Sequence, residues 1–309
     1  MRLASFNLMH ARSLTDGLVD GDRLVTAVAG LRADVLALQE VDRDQPRSGG
    51  LDLTALAARA MGVGPGDHRF EPALLGTPGE SWRPATDAAP ASPRPLETPV
   101  PTTVAPETAP APPRPRETLA PAAIAPVARA PATPAYGVGL VSRFPVEEWR
   151  VVRLPAAPVR SPVVVPAGPR RVRVLMLDDE PRVGLVAVLA TPTGRLTVVS
   201  THLSFVPGWN VVQLRRLVAA LRDLPDPVVL LGDLNLPGAV ARLASGWRSL
   251  ATAATYPSPR PRVQLDHALA RGRLPAVTRV VAERTPISDH RALLVDLAAA
   301  APPAPDQGW

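Results

Sequence analysis

Several short apolar segments of the chain border side chains that can bind metal ions or transfer protons. These carboxylates, imidazoles and amides stand where a buried strand would begin or end, at Asn7, Glu40, His202, Asp233, Asn235, Asp266, Asp289 and His290. Because strand ends gather at one edge of a sheet, we expect side chains from distant parts of the sequence to meet in one cleft. Carboxylates with asparagine and histidine suit Mg²⁺ or Mn²⁺. Such a site would position an anion, and phosphate is the natural anion for it.

The segments around these residues alternate between strand-like and helix-like patterns, which predicts an α/β fold. Apolar, β-branched runs predict strands at 2–7, 33–40, 136–146, 227–235, 263–270 and 291–298, and a hairpin over 182–203 that turns at 192–194. Helical apolar spacing predicts helices at 22–33, 51–62 and 210–224. Asp22 is the expected N-cap of the first helix, and Gly62 is the expected end of the second.

The composition excludes several kinds of catalysis. The 309 residues include no cysteine, and all 34 basic residues are arginine. A P-loop or Schiff-base lysine, a cysteine nucleophile and a thiol zinc site are therefore ruled out. The net charge of +6 is modest for a nucleic-acid-binding protein, and a 4% share of aromatic residues argues against a base-stacking surface. No apolar run reaches the ~18 residues of a membrane span. We expect a cytoplasmic protein and a monomer.

The prolines are concentrated in one part of the chain. Of the 39 prolines, 15 lie within residues 84–134, among alanine, threonine, valine and charges that cancel. Apolar periodicity is lost there, and proline favours extended conformers that do not pack as a helix or a central strand. We predict a disordered insertion over about 84–134 within a single domain that spans 1–309, and a flexible tail at about 300–309. The alternative is a linker between two domains.

Seven short motifs occur in an order that resembles a known family. They are SFN (5–7), ALQEVD (37–42), YGVGLVSRFP (136–145), STHLS (200–204), LLGDLN (230–235), QLDHAL (264–269) and ISDHRAL (287–293). Together they resemble the successive signatures of the endonuclease/exonuclease/phosphatase superfamily, which has the deoxyribonuclease-I-like fold. The resemblance runs from the first predicted strand to the last. It implies a four-layer α/β (α+β) sandwich in which two mixed β-sheets pack face to face with helices on the outside.

The resemblance also implies a metal site. Glu40 matches the family's metal-binding glutamate, Asp289 completes the site, and Asn7 matches the asparagine that orients the metal or the phosphate. The implied ion is Mg²⁺, or Mn²⁺ in its place. The alternatives are a surface glutamate that begins a loop for Glu40, a turn residue for Asn7 and a capping aspartate for Asp289.

Five further residues match positions at which the family handles the phosphate and the water, namely His290, Asp266, Asp233, Asn235 and His202. His290 would pair with Asp266, because a carboxylate on one ring nitrogen leaves the other free for water or phosphate. Of Asp233 and Asn235, one would orient the attacking water, and the other would bind a phosphate oxygen or the leaving group. His202 would contact the phosphate. His267 is expected to be structural, since alternation places it on the face opposite Asp266.

These expectations combine into a divalent-metal-dependent phosphoesterase that hydrolyses a phosphodiester, or a phosphomonoester, by in-line attack of activated water. One alternative is a nuclease specific for DNA or RNA, although no basic or aromatic patch indicates nucleic acid. Another is a non-catalytic binding module on the same scaffold. A lipid-directed enzyme would need an apolar hairpin, and the nearby segment 204–212 is predicted instead to be a loop that leads into a helix.

Overall fold

The computed structural model describes residues 1–86, 133–166 and 172–299. The insertion predicted over about 84–134 lies outside the described residues except at its two ends, and the tail predicted at about 300–309 lies outside them. The described residues before the insertion, Met1–Ala85, form one unit with the chain from Thr133 onward. None of the described helices is both long enough and apolar enough to cross a membrane.

Within these residues the chain forms fifteen strands, four α-helices and two short 3₁₀ turns. The strands are β1 (Arg2–Asn7), β2 (Val35–Arg43), β3 (His68–Gly76), β4 (Trp82–Pro84), β5 (Ala135–Ser142), β6 (Val146–Leu154), β7 (Ser161–Pro166), β8 (Val172–Leu177), β9 (Arg182–Thr191), β10 (Gly194–His202), β11 (Val228–Asp233), β12 (Arg248–Ser249), β13 (Asp266–Arg271), β14 (Val277–Glu283) and β15 (Ala292–Leu297). The helices are α1 (Gly21–Leu31), α2 (Leu53–Met61), α3 (Trp209–Ala220) and α4 (Val240–Ser245), and the 3₁₀ turns are Met9–Ala11 and Pro46–Ser48.

The strands form two large mixed sheets. The first has seven strands in the order β14-β15-β1-β2-β5-β3-β4, and the second has six in the order β12-β13-β11-β10-β9-β6. Each sheet contains one parallel pair, β1 with β2 in the first and β10 with β11 in the second, and the other pairs are antiparallel. Strands β7 and β8 form a separate two-stranded ladder.

The two sheets pack face to face, and the helices cover their outer faces. The core between the sheets contains Leu3 and Val35 from the first sheet and Val198 and Val229 from the second. The residues that alternate with these along each strand point to the outer face of the sheet, because successive side chains of a strand lie on opposite faces. They pack against α1 and α2 on the first sheet and against α3 and α4 on the second. The predicted four-layer sandwich of two mixed sheets is therefore confirmed.

Local signals in the sequence explain most helix and turn boundaries. Helix α2 ends at Gly62, which adopts a left-handed conformation at φ 68°, as predicted. The β9–β10 hairpin turns where predicted, with Thr191 paired to Gly194. The predicted N-cap of α1 is wrong by two residues. The cap is Asp20, whose side chain accepts bonds from the backbone N–H groups of Asp22 and Arg23, so that Asp22 lies inside the first turn.

The two parallel pairs bring polar residues to the same end of the sandwich. Asn7 ends β1 beside Gln39 of β2, and His202 ends β10 beside Asp233 of β11. Asp266, the first residue of the antiparallel strand β13, lies opposite Asp233. Hydrogen-bonded backbone ladders therefore fix the relative positions of these polar ends.

Strand β2 does not end at its polar residues, as the sequence had predicted, but continues to Arg43. Its pairing with β5 shifts between Leu38 and Val41, so that two residues of β2 stand opposite one residue of β5. This is a β-bulge, and within it Glu40 has a φ of 50°. The bulge places Glu40 inside a strand with a backbone conformation that is uncommon for any residue other than glycine.

The chain on either side of the predicted insertion is held by one strand. The backbone N–H of Ala85 donates to Ala73 O, and the N–H of Gly76 donates to Pro134 O. Ala73 and Gly76 both lie in β3, three residues apart, which corresponds to roughly 10 Å along a strand. The two points where the described chain stops and resumes are therefore close together.

Candidate active site

The polar strand ends surround a cavity of about 710 Å³. Six of the eight residues predicted from the sequence line it: Glu40, His202, Asp233, Asn235, Asp289 and His290. The other two, Asn7 and Asp266, are fully buried behind the cavity wall and form hydrogen bonds with residues that line it. The structure thus brings together all eight residues from six separate parts of the sequence.

Asn7 connects the two sheets beneath the cavity. Its side-chain Nδ2 donates to Glu40 Oε1 at 3.1 Å and to Asp233 Oδ2 at 2.9 Å. Its Oδ1 accepts a bond from the backbone N–H of Met9 at 3.0 Å. The amide nitrogen, rather than the oxygen, therefore faces the carboxylates. In this arrangement Asn7 orients Glu40 from the first sheet and Asp233 from the second.

Glu40 and Asp289 are two neighbouring carboxylates that border the cavity. Burial raises the pKa of Glu40 to about 7; the Asn7 hydrogen bond opposes this rise, and the charges of Asp289 and Asp233 add to it. The ion pairs in the described chain that include a cavity-lining residue involve other carboxylates, namely Asp178, Asp179, Glu180, Asp233 and Asp266. Two neighbouring carboxylates without a basic partner are a donor set that fits a hard divalent cation.

His290 lies between two buried carboxylates. Its Nδ1 is 2.9 Å from Asp266 Oδ2, and its Nε2 is 3.7 Å from Asp233 Oδ2. Burial alone lowers the pKa of His290, but the charges of Asp266 and Asp233 outweigh it and raise the pKa to about 10. The ring therefore carries a proton on Nδ1 for Asp266 and presents Nε2–H towards Asp233 and the cavity. The ring of Tyr256 packs beside it, with centroids 4.9 Å apart.

Asp233, Asp266 and His290 also have ligand atoms within 4.8 Å of one another. Among the described residues this is the group of three that could geometrically hold a metal ion, and it differs from the predicted set of Glu40, Asp289 and Asn7. The hydrogen bond between His290 Nδ1 and Asp266 Oδ2 at 2.9 Å uses one potential ligand atom of each residue, and the raised pKa of His290 keeps its ring protonated. We therefore interpret the group as a proton-handling pair with a neighbouring carboxylate.

Asp233 stands at the centre of the site. Its Oδ1 accepts the backbone N–H of Asn235 at 3.0 Å, and its Oδ2 accepts the amide of Asn7. Burial raises the pKa of Asp233 to about 6, although the charge of His290 and both hydrogen bonds act in the opposite direction. Asp233 is thus a carboxylate that is held rigidly, is poorly solvated and binds a proton more readily than an exposed aspartate.

His202 and Asn235 border the cavity beside Asp233, whose Oδ2 is 3.7 Å from His202 Nε2. Asn235 Nδ2 donates to Leu203 O at 3.0 Å and lies 3.2 Å from His202 Nε2. On the other side of the ring, Arg182 Nη1 lies 3.4 Å from His202 Nδ1. Burial, followed by the charges of Arg182 and His290, lowers the pKa of His202 well below its usual value. His202 is therefore a neutral imidazole.

Two predictions about neighbouring residues can be compared with the structure. His267 does not line the cavity, and its Nε2 bonds to Leu236 O at 2.7 Å, as expected for a structural residue. The segment 204–212 forms a loop that enters α3 at Trp209, and the indole of Trp209 donates to Pro155 O at 3.1 Å. Phe205 of this loop lines the cavity.

Of the twelve cavity-lining residues that were not predicted as functional, three interact directly with predicted site residues, namely Tyr136, Arg182 and Tyr256. Tyr136 occurs within one of the seven motifs, so its position was available from the sequence. Arg182 is one of 34 arginines and carries no distinguishing signal. Tyr256 lies in a loop without recognisable periodicity.

Comparison with known proteins gives one family match. The sequence profile of the endonuclease/exonuclease/phosphatase family matches residues 4–290. No curated protein shows a sequence match to the chain. Among solved structures, the chain resembles an endonuclease/exonuclease/phosphatase from Beutenbergia cavernae DSM 12333, with 19% identity and a TM-score of 0.56 over 96% of this chain and 71% of that one.

Two further solved structures cover nearly the whole of both chains. The endonuclease/exonuclease/phosphatase from Bacteroides vulgatus is 14% identical, with a TM-score of 0.54 over 97% of this chain and 98% of that one. Sphingomyelinase C from Streptomyces griseocarneus is 16% identical, with a TM-score of 0.51 over 96% and 98%. At these identities the similarity concerns the fold.

Proposed function

Because the chain belongs to the endonuclease/exonuclease/phosphatase family, whose members are hydrolytic phosphoesterases, we propose that it is a divalent-metal-dependent enzyme that hydrolyses a phosphodiester or a phosphomonoester by direct attack of water. One observation carries the proposal. The free carboxylates of Glu40 and Asp289 and the His290–Asp266 pair border the same cavity. A cation side and a proton-handling side within one cavity are the parts that hydrolysis of a phosphoester requires.

Glu40 and Asp289 would hold the metal ion, and Asn7 would keep Glu40 in place through its 3.1 Å hydrogen bond. A bound Mg²⁺ or Mn²⁺ would polarise a phosphoryl oxygen and stabilise the negative charge that develops on the leaving oxygen. The raised pKa of Glu40 supports this assignment, because a cation beside a buried carboxylate favours its ionised form.

Asp233 is the residue best suited to accept a proton from the attacking water. Its two oxygens are fixed by Asn7 and by the backbone of Asn235, and its raised pKa increases its basicity. As the water oxygen forms its bond to phosphorus, one water proton passes to this carboxylate, and the bond from phosphorus to the leaving oxygen breaks. His290, held in its charged form by Asp266, donates through Nε2–H to a phosphoryl oxygen and stabilises its negative charge.

His202 and Asn235 would also contact the phosphate. Asn235 is fixed by its bond to Leu203 O, and His202 lies beside it as a neutral ring. The attacking water and the leaving group would then occupy opposite sides of the phosphorus, as an in-line displacement requires. The nuclease and the binding-module alternatives share this scaffold, and they differ in which substrate, if any, is cleaved.

The test is hydrolysis by the purified full-length chain with Mg²⁺ or Mn²⁺. The substrates are bis-(p-nitrophenyl) phosphate, p-nitrophenyl phosphate, DNA and RNA. We expect metal-dependent release of p-nitrophenol that EDTA abolishes and that excess Mg²⁺ restores. His290→Ala should lower kcat by ~10²–10⁴-fold. The matched control is His68→Ala, because His68 lies outside the cavity and its ring bonds to the backbone oxygen of Gly64.

The outcome also separates the alternatives. Cleavage of nucleic acid alone would favour the specific nuclease. If the metal-loaded chain cleaves none of the four substrates, the proposed function is wrong, and the non-catalytic binding module becomes the better hypothesis. Loss of activity in His68→Ala equal to that in His290→Ala would point to unfolding rather than to a role of His290 in the reaction.

A further inference from the structure

The imidazole of His202 has a hydrogen-bond donor on each side. Arg182 Nη1 lies 3.4 Å from Nδ1, and Asn235 Nδ2 lies 3.2 Å from Nε2. A neutral imidazole has one nitrogen that accepts and one that donates, whereas guanidinium and amide N–H groups only donate. One of the two contacts therefore brings two donors together. The tautomer of His202 decides which contact is the true hydrogen bond.

Charge decides between the two tautomers. A proton on Nδ1 would point an N–H dipole at the guanidinium of Arg182, which always carries a full positive charge. A proton on Nε2 would point it at the uncharged amide of Asn235, which already has an acceptor in Leu203 O. The Nε2–H would also lie towards Asp233, whose Oδ2 is 3.7 Å away. The electrostatic energy thus favours a lone pair on Nδ1, facing Arg182, and a proton on Nε2.

Arg182 is placed to exert this effect. Its side chain is about 5% exposed and borders the cavity. Its contact with His202 is the single hydrogen bond that it makes among the described residues. The carboxylates of Glu180 and Asp179 are 3.7 Å and 3.8 Å from Nη2, too far for good hydrogen bonds, and the buried Nε has no partner in the described chain. A buried guanidinium with most of its donors unused is not explained by packing alone.

We propose that Arg182 is a positioning residue that fixes His202 as its Nε2–H tautomer, so that His202 donates to a phosphoryl oxygen in the cavity. The Oδ2 atom of Asp233 is 3.7 Å from Nε2, too distant for a strong bond, which leaves this N–H available to a substrate oxygen. The identity of that acceptor rests on the proposed phosphoesterase function. The tautomer itself does not, because it follows from the contacts of Arg182 and Asn235.

The tautomer can be measured in the full-length protein. Long-range ¹H–¹⁵N spectra of ¹⁵N-histidine-labelled protein with Mg²⁺ report which ring nitrogen carries the proton, and His202→Gln assigns the signals among the five histidines. We expect an unprotonated Nδ1 and a protonated Nε2 at His202. Addition of inorganic phosphate should shift the Nε2–H signal. A protonated Nδ1, or an average of both forms, would overturn the proposal without any variant of Arg182.

Variants of Arg182 test the cause. In Arg182→Gln the Nδ1–H form should appear, and the Kd for inorganic phosphate should rise ~10-fold or more, as loss of a hydrogen bond from His202 to the charged phosphate predicts. Arg182→Lys keeps the charge and should keep the Nε2–H form. The control is Arg195→Gln, which removes the same charge from an exposed residue near the start of β10. An unchanged tautomer and an unchanged phosphate Kd in folded Arg182→Gln would refute the role of Arg182.

The same samples separate this proposal from the proposed function. If wild-type protein shows the expected tautomer and phosphate shift but cleaves no phosphoester, the phosphoesterase function fails and the role of Arg182 in holding an anion-binding His202 stands. If the protein cleaves bis-(p-nitrophenyl) phosphate but His202 is protonated on Nδ1, the function stands and the role of Arg182 is wrong.

Discussion

A single methyl group at Gly232 should disable the site while it leaves most of the fold in place. Gly232 pairs with Thr201 in the parallel β10–β11 ladder and with His267 of β13. A Cβ atom at this position would lie 2.1 Å from Thr201 O and 3.0 Å from Thr201 C, both of them backbone atoms that cannot rotate away. Since carbon and oxygen in contact are about 3.3 Å apart, Gly232→Ala must move one strand by roughly 1 Å.

That movement reaches the site directly, because Asp233 is the next residue. Its Oδ2 lies 2.9 Å from Asn7 Nδ2 and 3.7 Å from His290 Nε2, so a shift of this size disrupts both relationships. A misplacement of about 1 Å at a reacting group costs on the order of 10²-fold in rate. Overpacking of a well-packed region costs ~1–3 kcal/mol. For a domain of this size we expect the Tm to fall by roughly 2–12 °C.

The assay is kcat/KM for bis-(p-nitrophenyl) phosphate together with Tm by circular dichroism. The matched control is Gly30→Ala, in the last turn of α1, where an added Cβ meets no atom within 4 Å. Gly232→Ala should be folded at 25 °C but slower by about two orders of magnitude. A Gly232→Ala variant with wild-type kcat/KM and wild-type Tm would show that the strands yield freely, and the argument from ladder geometry would be wrong.

Three further outcomes are expected. Asp266→Asn keeps the shape of the His290 pair but removes its charge, so kcat should fall by ~10²–10⁴-fold in steady-state assays, and a kcat within twofold of wild type would contradict the pairing. Gly30→Ala should raise the free energy of unfolding by ~0.5–1 kcal/mol in urea titrations, whereas a decrease would indicate a contact that the structure does not contain. Replacement of residues 87–132 by a linker of about four residues should leave kcat/KM and Tm unchanged, because both ends of this segment are held by β3 roughly 10 Å apart; a large fall in Tm would show that the segment contributes to the fold.

The central strands could be predicted from the sequence because their burial leaves a strong signal. Strands β1, β2, β10 and β11 are buried on both faces and largely apolar, and each carries polar residues at or near the same end. That combination predicted both the α/β class and the cleft. The family resemblance supplied the order of the layers, which the pattern alone does not determine.

The edge strands were missed for a physical reason. Strands β14 and β6 lie at the edges of the two sheets, and most of their residues are exposed or half-buried. Few side chains of these edge strands are buried, so their sequences show little apolar alternation. Pairing with the neighbouring strand sets their conformation. Strand β3 contains Pro72, which weakens the strand signal further.

Two features of the site also could not be predicted from sequence spacing. The bulge at Glu40 arises because β2 and β5 pair with one extra residue in β2, and this is a property of the pair rather than of either strand. The contact between Arg182 and His202 joins residues 20 positions apart across the β9–β10 hairpin. Periodicity gives the face on which a side chain lies, but it does not give the distance between two side chains on neighbouring strands.

The geometry of the site is set by backbone ladders and not by its ligands. Asn7, Glu40 and Asp233 belong to two different sheets, yet the amide of Asn7 bonds to both carboxylates beneath the cavity. Burying these two carboxylates close together is unfavourable, as the raised pKa of each shows, and the hydrogen bonds from Asn7 offset only part of that cost. The fold retains the arrangement because the strands that carry it are fixed by cores on both faces of each sheet. Under the proposed function, such a site would be preorganised for a cation and a phosphate, because the unfavourable charge is held in place by the fold itself.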